Sequence, residues 1–348
     1  MSNRFLPELT RPVDASDLET REDCVEEITR LRQLFRDATY NYILITGANR
    51  GLGKAIACAV LKKDKYAYAI LGARDVEKGR KAVKEIALAH PNFDSRMSVL
   101  ALDVTDETSI QAALGAVVAR FSPLYAIVNN AGVGPLKTTS FLKEILDVNF
   151  YGVKRICEAF LPCLHPTKGR IVNVTSAAAA MYLDKCNEDT VRMFLNPHTT
   201  WEELEGFVHH ALELKGSEKL FEAEGIGNGL SYALSKACAN LYTLQIAEQY
   251  PRLRINACTP GFLNTDLTKQ FAIESGKTPK DMGMKTPAEG TKSTLMLLYE
   301  GSQTSTTGSR RSGLFYGSDG KRNPLHTYRN AGDPEYAGEK EVKLFPSY

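Results

Sequence analysis

The sequence predicts an α/β fold: a doubly wound parallel sheet in a single domain that carries a helical insertion. Three observations support that expectation. Short, continuously apolar runs recur along the chain. Stretches of helical periodicity fill the gaps between them. The first run ends in a glycine-rich turn that opens a helix. Strands buried on both faces read as unbroken apolar runs, and alternating them with helices builds a parallel sheet covered on both sides. Such a sheet presents its ligand at the carboxyl ends of its strands.

Residues 1–40 are polar and carry Pro7 and Pro12. Ser16 followed by Glu19 makes a capping box, and Val25, Ile28, Leu31, Leu34 and Phe35 then recur at helical spacing. A loose arm and one amphipathic helix are expected there, ahead of a domain spanning 41–330. Tyr42–Thr46 is the first strand, followed by a helix from Leu52 to about Lys63. Tyr66–Ala73, Ser98–Val104, Tyr125–Ala131, Arg170–Ser176 and Arg254–Pro260 are the next apolar runs, with a short seventh at Leu314–Tyr316. Helical periodicity marks Ile110–Phe121 and Phe141–Leu161. Residues 177–231 interrupt this rhythm. Within them Leu204, Phe207, Val208, Ala211 and Leu212 form an i, i+3, i+4, i+7, i+8 stripe, Thr200 with Glu203 caps it, and Gly216 can end it. This insertion is expected to fold as a helical hairpin or lid. Gly225, Gly227 and Gly229 supply a hinge or a turn before Tyr232. A polar loop is expected over Ser302–Ser312 and a polar tail over 331–348.

Composition excludes several classes. The 348 residues are 43% hydrophobic and 24% charged, enough for a large core. Lys plus Arg number 43 against 41 Asp plus Glu, a net charge of +2, so no basic field invites nucleic acid. No apolar run approaches the ~18 residues of a membrane-spanning helix, and the first residues lack the apolar core of a signal peptide. The seven cysteines (24, 58, 157, 163, 186, 238, 258) form no C-x-x-C pair and read as reduced, buried side chains of a cytoplasmic protein. His209 and His210 are adjacent, so on a helix they point apart, and no metal site is expected.

The polar residues that can do chemistry all fall at strand ends. In Thr46-Gly47-Ala48-Asn49-Arg50-Gly51-Leu52-Gly53 the glycines let the backbone turn sharply and approach a pyrophosphate, whose charge suits a helix N-terminus. An ordinary strand–helix turn would use the same glycines, so the motif needs company. The second strand ends in Ala73 followed by Arg74, where an NAD-binding fold often places an acid for the ribose hydroxyl. Arg74, with Arg50 nearby, suits a 2′-phosphate instead. Tyr232 and Lys236 stand four apart, on one helical face, where an ammonium can lower the phenol's pKa. Ser176 follows the fifth strand, Asn129-Asn130-Ala131-Gly132 ends the fourth, Asn149 lies on the next helix, and Pro260–Thr265 follows the sixth. Phe262, Leu263, Met181, Tyr182 and Leu183 flank these motifs and suggest an apolar pocket; Met282 and Met284 are candidates for a substrate loop.

Over about residues 40–320 the chain resembles the short-chain dehydrogenase/reductase family. The resemblance rests on TGANRGLG at 46–53, LDVTD at 102–106, NNAG at 129–132, Asn149, VTS ending at Ser176, YALSK at 232–236 and PGFLNT at 260–265, all in family order. GARD after the second strand, TPAEG at 286–290 and the long insertion make it most similar to the NADPH-dependent carbonyl reductase branch. The resemblance implies a Rossmann-type fold and NADP(H) as cofactor. It implies Tyr232 as general acid in carbonyl reduction, Lys236 as the group that lowers its pKa and holds the nicotinamide ribose, and Ser176 as a donor to the substrate oxygen. Asn149 would hold a water in a proton relay to Lys236. Asp103 and Val104 would contact adenine, Asn130 would line the cleft, and Thr265 would meet the carboxamide. The expected substrate is an apolar ketone, aldehyde or quinone. An alcohol dehydrogenase working oxidatively, and a silent NADP-binding regulatory protein, are the competing readings. Because the insertion would cover the surface through which family members commonly pair, a monomer is expected.

Overall fold

The computed structural model describes residues 40–134, 139–299 and 312–344. The helix expected within the first 40 residues lies outside the described residues, as does nearly all of the Ser302–Ser312 stretch. Among the described residues no helix is long and apolar enough to cross a membrane.

One eight-stranded sheet runs in the order β3-β2-β1-β4-β5-β6-β7-β8. Its strands are β1 (Asn41–Thr46), β2 (Ala67–Ala73), β3 (Met97–Ala101), β4 (Leu124–Asn129), β5 (Arg170–Val174), β6 (Arg254–Cys258), β7 (Phe315–Tyr316) and β8 (Arg322–Asn323). All neighbours pair in parallel except β7 and β8. The order reverses between β1 and β4, the point where a doubly wound sheet opens a crevice. Strand interiors such as Ile43–Ile45, Ile70–Leu71 and Ile127–Val128 are fully buried, as their unbroken apolar runs predict.

The strands stop short of those runs at the carboxyl edge. Leu102–Val104, Thr175–Ser176 and Thr259–Pro260 leave the ladder and turn into loops or helix caps. Apolar or small residues there serve the crevice rather than the sheet, so hydropathy alone extends the strands too far. The strand β8 was not expected: two residues carry no period. Its hairpin with β7 is anchored by Arg329, whose guanidinium pairs with Asp319 at 2.7 Å in a largely buried contact. The segment beyond Asn330 continues on the body: Gly332 N donates to Asp319 at 3.0 Å, and Leu344, within the helix Glu339–Leu344, packs against the apolar cluster that includes Val191, Leu195 and Phe315.

Helices cover both faces. On one lie α1 (Gly51–Lys63), α2 (Val76–Ala89) and α12 (Lys292–Tyr299). On the other lie α3 (Glu107–Arg120), α4 (Leu142–Leu146), α5 (Gly152–Phe160) and α10 (Ser231–Gln249), together with the insertion. The periodic stretch 141–161 is therefore not one regular helix: a wider, π-type turn, Asp147–Tyr151, joins α4 to α5. The remaining helix α11 (Asp266–Ser275) follows the β6 loop.

The insertion folds as α6 (Ala177–Leu183), α7 (Glu188–Leu195), α8 (Trp201–Glu213) and α9 (Glu218–Ala223), more than the hairpin its one stripe suggested. The expected cap is present: Glu203 N donates to Thr200 Oγ1 at 3.2 Å and Thr200 N to Glu203 at 2.6 Å. Leu204, Val208 and Ala211 are fully buried, with Phe207 and Leu212 packed beside them. Trp201 stacks on Phe150 of the wide turn, with ring centroids 5.7 Å apart, and meets Tyr242 of α10 at 6.5 Å. The stripe is thus consumed by the chain's own core.

Candidate active site

Two turns meet at the crevice between β1 and β4. Thr46 Oγ1 accepts from the backbone N–H groups of Asn130 and Ala131, both at 3.0 Å. Asn130 Nδ2 returns a bond to Thr46 O at 2.9 Å and reaches Gly47 O at 3.3 Å. Gly47 sits at φ +64°, and a Cβ there would come within 2.9 Å of Ala131 Cα, so neither its conformation nor its space admits a side chain. Beyond it, α1 begins at Gly51 with no side-chain cap and no acid in its first turn. Its leading amides, from Gly51, Leu52 and Gly53, are left for an anion. Asn49 precedes them in the same turn. Thr265, at the start of α11, faces Gly51 across the opening: a Cβ on Gly51 would lie 3.7 Å from Thr265 Cγ2.

The two arginines are not gathered onto one anion. Arg50 pairs with Asp266 at 2.8 Å, across the opening to α11, and Arg74 leans toward Asp103 at 3.8 Å. Their side chains are 71% and 78% exposed, so both pairs are weak and replaceable. Asp75 does not pair with Arg74; it caps α2 by accepting from Lys78 N at 3.0 Å. Asp103 Oδ1 is occupied by Thr105 N and Oγ1, at 3.0 and 2.8 Å, which holds the Asp103–Val104 loop against the end of β2.

At the other end of the crevice stand Ser176, Tyr232 and Lys236. Ser176 is the N-cap of α6, its oxygen accepting from Ala178 N at 3.2 Å, and it stands near enough to the Tyr232 phenol to influence its titration. Tyr232 is 8% exposed and Lys236 is 4% exposed. Burial pushes the Tyr232 phenol up to about 12, with the neighbouring Ser176 acting in the opposite direction. Burial also pushes Lys236 down, to about 8. Desolvation is the larger effect on the phenol, outweighing any lowering by the Lys236 ammonium. The ammonium donates to Val174 O at 3.1 Å and lies 5.7 Å from the Tyr232 ring centroid, a distance set by its carbonyl partner rather than by the phenol oxygen.

Asn149 joins two segments at this end of the crevice. It is fully buried in the wide turn, where Oδ1 accepts from Val133 N at 2.9 Å and Nδ2 donates to Val133 O at 2.9 Å and Ser235 Oγ at 3.1 Å. Both amide hydrogens are spent on protein, so the side chain clamps the Val133 segment to the Tyr232 helix. Ser235, whose hydroxyl donates to Tyr232 O at 2.7 Å, escaped the sequence reading although it lies inside YALSK; nothing local distinguishes it from a spacer. Tyr182 and Leu183 were expected in an apolar pocket, yet both are core residues at 1% exposure, and the Tyr182 hydroxyl donates to Ile226 O. Leu263 is likewise buried, while Met181 is exposed.

These elements can hold a dinucleotide: an uncapped helix start behind a glycine turn for the pyrophosphate, Asp103–Val104 on one side, Lys236 and Thr265 on the other. Known proteins resemble this chain. The short chain dehydrogenase family model matches residues 41–186. A (+)-neomenthol dehydrogenase of Arabidopsis thaliana is 30% identical over 69% of this chain and 90% of its own length. Carbonyl reductase [NADPH] 1 of Rattus norvegicus is 29% identical over 71% of this chain and 92% of its own. The structure of salutaridine reductase from Papaver somniferum superposes with a TM-score of 0.64 at 24% identity, covering 79% of this chain and 99% of that one.

A prediction follows from the buried ammonium. Lys236 titrates near 8 when folded against 10.5 when free. Below about pH 8 both states carry the proton, and the fold bears the full cost of burying it. Between about 8 and 10.5 the unfolded chain binds more protons than the folded one, so stability from this group rises with pH. Lys236→Met should therefore be more stable than the parent at pH 7, with an advantage that shrinks toward pH 10.5. Chemical denaturation across that range reads it; a constant difference would refute the burial cost.

Proposed function

Because this chain belongs to the short-chain dehydrogenase/reductase family, we propose that it is an NADPH-dependent reductase of small or medium apolar ketones, aldehydes or quinones, with Tyr232 as general acid. The observation that carries this reading is a buried phenol beside Ser176 and one helical turn from the Lys236 ammonium, at the edge of a crevice that can hold a dinucleotide. The relatives' names favour NADPH, as do Arg74 and the absence of an acid at Ala73. Val133, Phe141 and Met181, apolar side chains left exposed on segments that leave the same edge, favour an apolar substrate.

When bound, the nicotinamide supplies the hydride. The protein's part is position and proton. Ser176 directs its hydroxyl at the substrate oxygen, where negative charge grows as the carbonyl is reduced. Tyr232, held neutral well above physiological pH by burial, keeps its proton until that oxygen becomes alkoxide, a much stronger base than phenolate, and then releases it. The Lys236 charge stabilises the phenolate that remains. Asn149 and Ser235 hold the Tyr232 turn in place.

Tyr232→Phe should lower turnover in a spectrophotometric NADPH-oxidation screen over such carbonyls by several orders of magnitude, with NADPH still bound; near-normal turnover would defeat the assignment. Arg74→Ala should cost NADPH about 1.5–3 kcal/mol of binding and NADH little. Titration calorimetry with both cofactors separates the outcomes, since equal losses would mean that Arg74 does not read the phosphate. The consumed stripe on α8 supports a monomer in solution; sedimentation equilibrium at micromolar concentration should return the mass of one chain, against a concentration-independent dimer.

A further inference from the structure

One side chain touches the supports of both ends of the crevice. Arg155, on α5, donates through Nη1 to Val104 O at 3.2 Å and to Asp147 O at 3.3 Å, and through Nη2 to Asp147 Oδ1 at 2.6 Å. Val104 belongs to the loop after β3, beside Asp103. Asp147 opens the wide turn that carries Asn149. The two segments are in close contact: a Cβ on Gly152 would fall 2.8 Å from Val104 Cγ2. The Arg155 and Asp147 side chains are 30% and 41% exposed, so the pair is only partly screened by water.

The hydrogen bonds continue in both directions. Past Asp147 the wide turn presents Asn149, whose Nδ2 donates to Ser235 Oγ, which in turn donates to Tyr232 O. Before Val104, Asp103 is braced by Thr105 on one oxygen and faces Arg74 with the other. We infer that Arg155 is a positioning residue that ties the Asp103–Thr105 loop to the wide turn holding Asn149, so that one guanidinium sets both the cofactor's adenine contact and the clamp on the Tyr232 helix. This rests on the nicotinamide-cofactor reading above. Arginine fits the task because its planar fork meets a carboxylate and two carbonyls at fixed angles; a lysine offers the charge without the fork.

The test uses the full chain with Arg155→Met and Arg155→Lys. Calorimetry with 2′,5′-ADP, the adenine half of NADP, reads the first function. Turnover at saturating NADPH reads the second, and a thermal midpoint accompanies both. The Met variant should bind 2′,5′-ADP roughly tenfold more weakly and turn over roughly tenfold more slowly, the scale of one lost charge-assisted contact at each site. The Lys variant, which keeps the Asp147 pair but not the bond to Val104 O, should recover turnover more than binding. Normal 2′,5′-ADP binding or normal turnover in the Met variant would overturn the inference. So would equal losses in Met and Lys that merely follow a lowered thermal midpoint. A parent protein that binds neither 2′,5′-ADP nor NADPH would instead defeat the cofactor reading, and this inference with it.

Discussion

Helix α10 is buried on every side, and the rest of the architecture answers to that constraint. From Ser231 to Ala247 each residue is enclosed. Small side chains at Ala233, Ala237, Cys238 and Ala239 let neighbours approach closely. The sheet covers one flank, the wide turn and α4 a second, and the insertion the remainder. A helix with no solvent face cannot be completed by a sheet alone, so residues 177–231 are part of its enclosure: Trp201 lies against Tyr242 and Phe150, and Gln245 Nε2 donates to Thr199 O at 2.6 Å.

Complete burial obliges every polar group on α10 to find a partner or bear a desolvation cost. Ser231 donates to Ser140 O at 3.0 Å and Lys236 to Val174 O. Thr243 accepts from Asn173 Nδ2 at 2.8 Å while Asn173 Oδ1 accepts from Asn129 at 2.8 Å. This polar ladder joins α10 to β5 and β4 and so fixes the height of Tyr232 above the strand ends. The same burial pushes Tyr232 and Lys236 toward their neutral forms, the phenol up and the ammonium down. The neutral phenol keeps its proton because burial makes the phenolate costly.

The crevice is preorganised by similar means. Thr46, Asn130 and Ala131 lock the first turn to the fourth strand before any ligand arrives, and the start of α1 is left without a side-chain cap. Polar groups that would otherwise collapse on one another are spaced by backbone bonds. The weak points are at the rim, where Arg50 and Arg74 rest on Asp266 and Asp103 in solvent-exposed pairs that an incoming phosphate can replace.

Much of this was legible in the sequence. Unbroken apolar runs such as YILIT and RIVNV specify strands buried on both faces, and Thr200 with Glu203 specifies a helix start, because those signals act within a few residues. The order of motifs placed Thr46–Gly53, Asn130, Ser176, Tyr232 and Lys236 at one sheet edge, since a parallel sheet has only one carboxyl edge. Tertiary structure alone decided what depends on contacts between distant segments. It made Asn149 a clamp by bringing Val133 and Ser235 to its amide. It sent Tyr182 into the core. It set the Tyr232 and Lys236 pKa values through desolvation, a property of everything packed around them rather than of their spacing. And it joined Arg155 to both Val104 and Asp147, a pairing without any local signal because its partners come from a loop and a turn that meet only in the folded chain.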